Sequence, residues 1–369
     1  MHTDLASITP AVVFGGPAPE HDISILTGLQ AARALSGLSP GTVGLYWAKS
    51  GRFYEVDPSL EAVDFAEGVP RKAKELVLAA GPGGGFLRGK KRLPIDVVVN
   101  ASHGGPGEDG SLQGALDLAG IPYTGPGPGC AYLAMDKLAF AGLVESAGMP
   151  SLPRVLVEAG TESLPFEGPV VVKPRSGGSS LGIEVVADLA TAKALREASP
   201  LLAAGAVAEP FLDDGRDLNV AVRSYPALEL SAIERPERTG DGGIYSYAQK
   251  YLGGEGLISS PRQVPADIPA QTAETIRTLA RRVAGLIGIR GVARIDFLEQ
   301  DGTIWVNEVN TIPGSLSVYL WVDPELGWEG LLTGMVQEAL RDGPRPFSTA
   351  GADGTALRSA ASVAAKLGG

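Results

Sequence analysis

Apolar runs broken by glycine divide the chain into recognisable elements. "AVVFGG" (11–16), "TVGLYWA" (42–48) and "DVVVNASHGG" (96–105) predict strands, the last apolar enough to suit a parallel sheet covered on both faces. Between the first two, "HDISILTGLQAARAL" predicts a helix whose apolar stripe runs through Ile23, Leu26, Leu29 and Leu35. The chain therefore opens as a β-α-β unit, and a Rossmann-like domain is expected over residues 1–127.

"MDKLAFAGLVESAGMP" (135–150) predicts a short helix capped by Asp136 and stopped by Gly148 and Pro150. "PVVVKPRSGGSSLGIEVV" (169–186) predicts a hairpin with a small-residue tip. The helix "LATAKALREA" and the strand "AVAEPFL" complete a central α+β unit, residues 128–220. Strands over 218–234 and 291–310, with the helix "AETIRTLARRVAGLIG", predict a second α+β unit, residues 221–345. The long segment between its first strands has glycines at both ends and reads as a lid over 236–256. Residues 346–369, poor in large apolar side chains, read as a flexible tail.

Composition narrows the function. The net charge of -11 over 369 residues disfavours nucleic acid or an anionic membrane as the main partner, so phosphate binding requires a local basic pocket. Cys130 is the one cysteine and there are three histidines, His2, His21 and His103, so any metal must be held by oxygen ligands. No run of about 18 apolar residues and no signal-like leader is seen, and a cytoplasmic location is expected.

The most informative stretch is "VNEVNTIPGS" (306–315). Alternation predicts that Ile304, Val306, Glu308 and Asn310 share one strand face. Upstream, "ARIDF" puts Arg294 and Asp296 on one face of the preceding strand. A three-residue turn around "QDG" would pair residue 296 with 306 and set Asp296 diagonal to Glu308. Two carboxylates and an amide oxygen converging in this way suit Mg²⁺. A structural network in which Arg294 neutralises both acids fits the same pattern, and both readings stand at this point.

Three glycine-containing stretches offer themselves as phosphate-binding loops. "GGFLRGKK" (84–91) has the spacing G-x-x-x-x-G-K but then Lys91 where Ser or Thr is required. Gly105, Gly107 and Gly110 fit G-x-G-x-x-G, yet Cys130 stands where an acid is needed. "VVVKPRSGGSSLG" (170–182) is better: Lys173 ends an apolar strand, followed by the N–H groups of Gly177 and Gly178 and the hydroxyls of Ser179 and Ser180.

With these pieces in view, the chain resembles the D-alanine:D-alanine ligases of the ATP-grasp superfamily over about residues 11–340. The resemblance rests on "VVFGGPAPEHDIS", "HGGPGEDGSLQGALDLAGIPYTGPG", "AMDK", "VVVKPRSGGSSLG", "KYL", "ARIDF" and "NEVNTIPG", all in the family's order. It implies an ATP-grasp fold and a cytoplasmic, homodimeric enzyme that forms D-alanyl-D-alanine for peptidoglycan through an acyl phosphate. By position, Lys137, Lys173 and Lys250 would contact phosphates, with Ser180 in the loop over them. Glu209 and Leu212 would lie along the adenine, and Asp217 would hold the ribose. Asp296, Glu308 and Asn310 would hold two Mg²⁺ ions, with Mn²⁺ a possible substitute. Arg294 and the Gly314 N–H would stabilise the tetrahedral oxyanion. Glu20 would bind the first ammonium through a chain to Ser179 and Tyr251, with His103 nearby. Without the resemblance, Glu20 reads as an ordinary helix-start acid.

The resemblance weakens after Gly314. Family members carry a serine that grips the second substrate's carboxylate, where this chain has Tyr319, leaving Ser315 or Ser317 as candidates for the role. Pro210 stands where a lysine is common, whereas Tyr251 fits an amine acceptor. Two rivals follow: an ATP-grasp ligase of specialised metabolism with another acceptor, and an ATP-binding protein without ligase activity. The joint presence of Lys173, Arg294, Asp296, Glu308 and Asn310 argues against the second.

Overall fold

The computed structural model describes residues 4–237 and 261–360. The predicted lid, with Lys250 and Tyr251, falls largely on 238–260 and so lies outside the described residues, as does the end of the tail. The first sheet uses β1 (Pro10–Gly15), β2 (Val43–Trp47), β3 (Phe53–Val56), β4 (Lys74–Ala79), β5 (Gly85–Arg88), β6 (Lys91–Arg92) and β7 (Val97–Asn100). Its order is β6-β5-β4-β3-β2-β1-β7. β1 pairs in parallel with β2 and β7, as the continuous apolar runs require, and the strands beyond β2 are antiparallel.

Helix α1 (His21–Leu38) closes the opening β-α-β unit. Ile25, Leu29, Ala32 and Leu35 are buried in the core it shares with β1, whereas Leu26, expected on that stripe, is 47% exposed. Residues 49–95 carried no predicted strand and supply the antiparallel half of the sheet. The G-x-x-x-x-G-K match belongs to the β5–β6 hairpin at its edge. The G-x-G-x-x-G match opens the short α2 (Gly105–Glu108) and leads to α3 (Ser111–Ala119). A side chain at Gly107 would meet Ser102, so this glycine is accounted for by packing.

After α4 (Pro128–Met135), α5 (Lys137–Ser146) begins at the predicted cap: Asp136 accepts from the N–H groups of Leu138 and Ala139, both at 3.1 Å. The second sheet, in the order β10-β9-β11-β8, comprises β8 (Val155–Leu156), β9 (Val170–Pro174), β10 (Glu184–Val186) and β11 (Ala206–Pro210). β9 and β10 form the predicted hairpin, and α6 (Leu189–Ala198) covers the sheet.

The third sheet is β14-β13-β12-β15-β16, built from β12 (Arg216–Arg223), β13 (Glu229–Pro236), β14 (Arg262–Gln263), β15 (Val292–Gln300) and β16 (Thr303–Asn310). Helix α7 (Ala270–Ile287) buries Ile276, Leu279, Ala280 and Val283 against one face, leaving the other for the cleft. α8 (Trp328–Asp342) returns to the first sheet, where Leu332 and Val336 share a core with Val12 and Phe14. The one-turn α9 (Thr355–Arg358) is the last described element. No helix of the described residues is long and apolar enough to cross a membrane.

Candidate active site

The geometry of the β15–β16 hairpin decides the chemistry. Its turn has two residues, Asp301 and Gly302, both at positive φ (52° and 78°), instead of the expected three. Phe297 therefore pairs with Val306, Asp296 pairs with Glu308, and Asn307 is an extra, bulged residue. The bulge reverses the alternation. Ile304, Val306 and Val309 face the α7 core, and Glu308 and Asn310 face the cleft, so the predicted grouping of Ile304 and Val306 with the two polar residues is corrected. Asp296 lies directly opposite Glu308 rather than diagonal to it. Asn219 of β12 pairs with Asp296, and Glu234 of β13 pairs with Asn219. One row across four strands thus reads Glu308, Asp296, Asn219, Glu234.

This row floors a cleft whose other walls come from β9, β11, the serine loop and the segment after β16. Arg294 holds Asp296 through two contacts of 2.7 Å, and Asn310 Nδ2 donates to the same carboxylate at 3.0 Å. Burial opposes the Arg294 charge, but Asp296 more than offsets it and holds the guanidinium well above its ordinary range. Two facing carboxylates with an adjacent carboxamide form an all-oxygen donor set that fits a hard divalent cation. Among the described residues no group of three or more His, Cys, Asp or Glu side chains gathers as a metal site, so side-chain carboxylates alone would not fill the shell of such a cation.

Across the cleft, Lys173 at the end of β9 pairs with the buried Glu209 of β11, and Arg154 Nε meets the same carboxylate at 2.8 Å. Burial pushes the Glu209 carboxyl up, but Lys173 and Arg154 outweigh it and keep it below its usual range. Arg154 also donates to the bulged Asn307 at its carbonyl (2.8 Å) and side chain (2.7 Å), fixing the second sheet to the third. Lys137, at the start of α5, lies 3.7 Å from Glu308 and donates to the Gly177 carbonyl. Its burial lowers the ammonium pKa, partly countered by Glu308. Leu212 and Asp217 also line the cleft.

Glu20 precedes α1 but makes no capping hydrogen bond; it accepts from Ser179 Oγ instead. The helix-start reading therefore gives way. Ser179 and Ser180 are both left-handed (φ 54° and 57°), which carries the loop tip back over the first domain. Gly104 has φ 64°, a left-handed backbone that favours glycine, and a Cβ there would push aside the Glu20 carboxylate, whose Oε2 would be 2.2 Å away.

His103 binds the Ile312 carbonyl (2.6 Å) and Thr27 Oγ1 (2.8 Å). Burial lowers its pKa to about 4, so the imidazole is neutral at pH 7. From the other side, Glu108 accepts from the N–H groups of Ile312 and Gly104, both at 3.0 Å. Burial, with the nearby Glu20 charge, raises its pKa to about 7. The pair grips the backbone just after Asn310. Gly314 lines the cleft, whereas Ser315 bonds back to Thr27 and Gln30 and Ser317 is fully buried, so neither serine is brought to the cleft wall. Tyr319 is.

Residue-based reasoning missed Glu108, Arg154, Asn219, Glu234 and Arg262. Glu108 stands in the quoted "GPGEDG", where its acid interrupts a glycine run; the others carry no local signal.

Three sheets around a cleft with lysines on one wall and paired carboxylates on the floor define an ATP-grasp protein. The D-ala D-ala ligase N-terminus family model matches residues 9–126 and the D-ala D-ala ligase C-terminus model residues 139–336. The D-alanine–D-alanine ligase of Mycolicibacterium smegmatis is 33% identical over 372 residues, covering 90% of this chain and 95% of the relative. Among solved structures, D-alanyl-alanine synthetase A from Vibrio cholerae superposes with a TM-score of 0.74 at 25% identity, covering 91% of this chain and 99% of that one. The VanG D-Ala:D-Ser ligase of Enterococcus faecalis gives 0.71 at 25%, covering 90% and 99%. The chain belongs to the D-alanine–D-alanine ligase family, whose members use ATP and a divalent metal.

Proposed function

We propose that the protein joins two D-alanines at the expense of ATP, supplying a dipeptide for peptidoglycan in the cytoplasm, and that it works as a homodimer. The observation that carries this reading is the cleft-facing set Asp296, Glu308 and Asn310 opposite Lys137 and Lys173. We read subdomains near residues 1–127, 128–220 and 221–345, although β12 (Arg216–Arg223) starts before the last boundary and belongs to the third sheet.

Val171, Phe211, Leu212 and Leu298 offer an apolar slot for adenine, with Glu209 beside it and Asp217 at the ribose. Lys137, Lys173 and the loop through Ser180 neutralise the phosphates. Asp296, Glu308 and Asn310 would hold Mg²⁺, two ions in our reading and replaceable by Mn²⁺, which when bound draws charge from the phosphates. Glu20, oriented by Ser179, receives the ammonium of the first D-alanine, with His103 holding the strand end behind it. One oxygen of that substrate's carboxylate attacks the γ-phosphorus and ADP leaves. The amine of the second D-alanine then attacks the acyl carbon, and phosphate departs with the transferred oxygen. Arg294 and the Gly314 N–H face the oxyanion formed between those steps. Lys250 and Tyr251, outside the described residues, are proposed to reach the phosphoryl group and to extend the Glu20–Ser179 chain.

A coupled assay of ADP release over pairs of D- and L-amino acids, with products identified by mass, tests the assignment. D-alanine alone is expected to give ADP and the dipeptide in equal amounts; ADP only with a different pair would reject the substrate and keep the reaction. A second reading, the same chemistry with another acceptor, is favoured by one observation: in the segment after Gly314 it is Tyr319, and neither Ser315 nor Ser317, that reaches the cleft.

A further inference from the structure

We propose that Tyr319, clamped by Arg262 and Glu234, is the wall that limits the second amino acid to one with a small, uncharged side chain. The proposal rests on the ligase reading above and deepens it. The turn Ser315–Leu316–Ser317 has three successive left-handed residues (φ 47°, 47° and 53°), a costly backbone for non-glycine residues. Leu316, packed into the first core, and the bond from the Ser315 N–H to Thr27 (3.0 Å) hold it in place. This turn delivers the Tyr319 ring to the cleft beside Gly314 and Arg294.

The ring is then fixed from the other side. The Arg262 guanidinium lies 4.6 Å from its centroid, within reach of a cation-π contact. Arg262 in turn donates to Glu234 at 2.8 Å, and Asn219 donates to the other Glu234 oxygen at 3.1 Å. Glu234 and Asn219 belong to the same transverse row as Asp296, so the clamp is continuous with the floor of the site. Turning the ring aside would break the Arg262 contact, so a bulky acceptor side chain would bind at the cost of displacing it. Among the described residues the charges beside the ring are matched, Arg262 by Glu234 and Arg294 by Asp296. A charged acceptor side chain would lose its hydration and gain no counter-charge from these groups.

The test holds D-alanine as donor and offers D-alanine, D-serine, D-valine, D-phenylalanine, D-glutamate or D-lysine as acceptor, with donor and acceptor KM resolved separately. Wild type is expected to use D-alanine and D-serine only. Tyr319→Ala should admit D-valine and D-phenylalanine and raise the acceptor KM for D-alanine about tenfold, with donor KM held within about twofold. Arg262→Met, which keeps the phenol but frees it, should widen the range partly. An unchanged acceptor range and KM in both variants, or a donor KM that moves as far as the acceptor KM, overturns the proposal. Wild type that takes D-phenylalanine as readily as D-alanine overturns the wall alone. Wild type that binds ATP yet ligates no pair overturns the ligase reading and this proposal with it.

Discussion

The two charge clusters that face each other across the cleft are built on opposite terms. On the second sheet two cations, Lys173 and Arg154, surround one buried carboxylate, Glu209, so the group is balanced within the protein and has positive charge to spare for phosphate. On the third, Asp296 and Glu308 lie on adjacent strands with Asn310 beside them, and Arg294 is committed to Asp296. The first cluster is a finished scaffold. The second is, in our proposal, the acceptor set for a divalent cation that also meets the phosphates.

The sharpest break would come from Glu308→Gln. It keeps volume and removes a proposed metal ligand, so turnover should fall by about a thousandfold or more, with unfolding stability changed by less than about 1 kcal/mol. ADP release and urea denaturation read the two effects, and a variant with full activity would erase the contrast between the clusters. Glu209→Ala should do the reverse first, lowering stability by about 3–5 kcal/mol because Lys173 and Arg154 remain buried without their acid. A loss below about 1 kcal/mol on urea denaturation would show that the scaffold is not self-balanced.

Glu108 gives a pH-dependent contrast. Its carboxyl is raised in the fold from 4.5 to about 7, so the folded state holds a proton that the unfolded chain has released. Its contribution to stability is therefore full below about pH 4.5 and is lost as pH rises through about 7. Glu108→Gln should flatten the fall in Tm between about pH 5 and 8, and an unchanged slope would remove Glu108 from the account. The smallest effect is expected from Lys173→Met, which should weaken ATP binding about tenfold, roughly 1.4 kcal/mol, in a calorimetric titration.

Much of this was legible in the residues because it is local. The β9–β10 hairpin, the Asp136 cap, α6 and the cleft-facing pair Glu308 and Asn310 follow from spacing within a few positions. Alternation failed at Asn307, since a bulge is set by its surroundings, here Arg154 from 153 positions away. Glu108 holds Ile312 across 204 positions, and Glu234 finds Arg262 only once β13 and β14 pair. Such contacts leave no periodic trace. The docking of α8 on the first sheet was hidden for a different reason: an amphipathic helix shows which face it buries but not against what.

The central claim is that a substrate carboxylate becomes an acyl phosphate in this cleft. Supplying D-alanine with both carboxylate oxygens as ¹⁸O, together with unlabelled ATP, tests it directly by mass analysis of the released phosphate. The account predicts one ¹⁸O in each phosphate and one retained in the new peptide carbonyl. Phosphate carrying no ¹⁸O would mean that the carboxylate was never phosphorylated, and would contradict it.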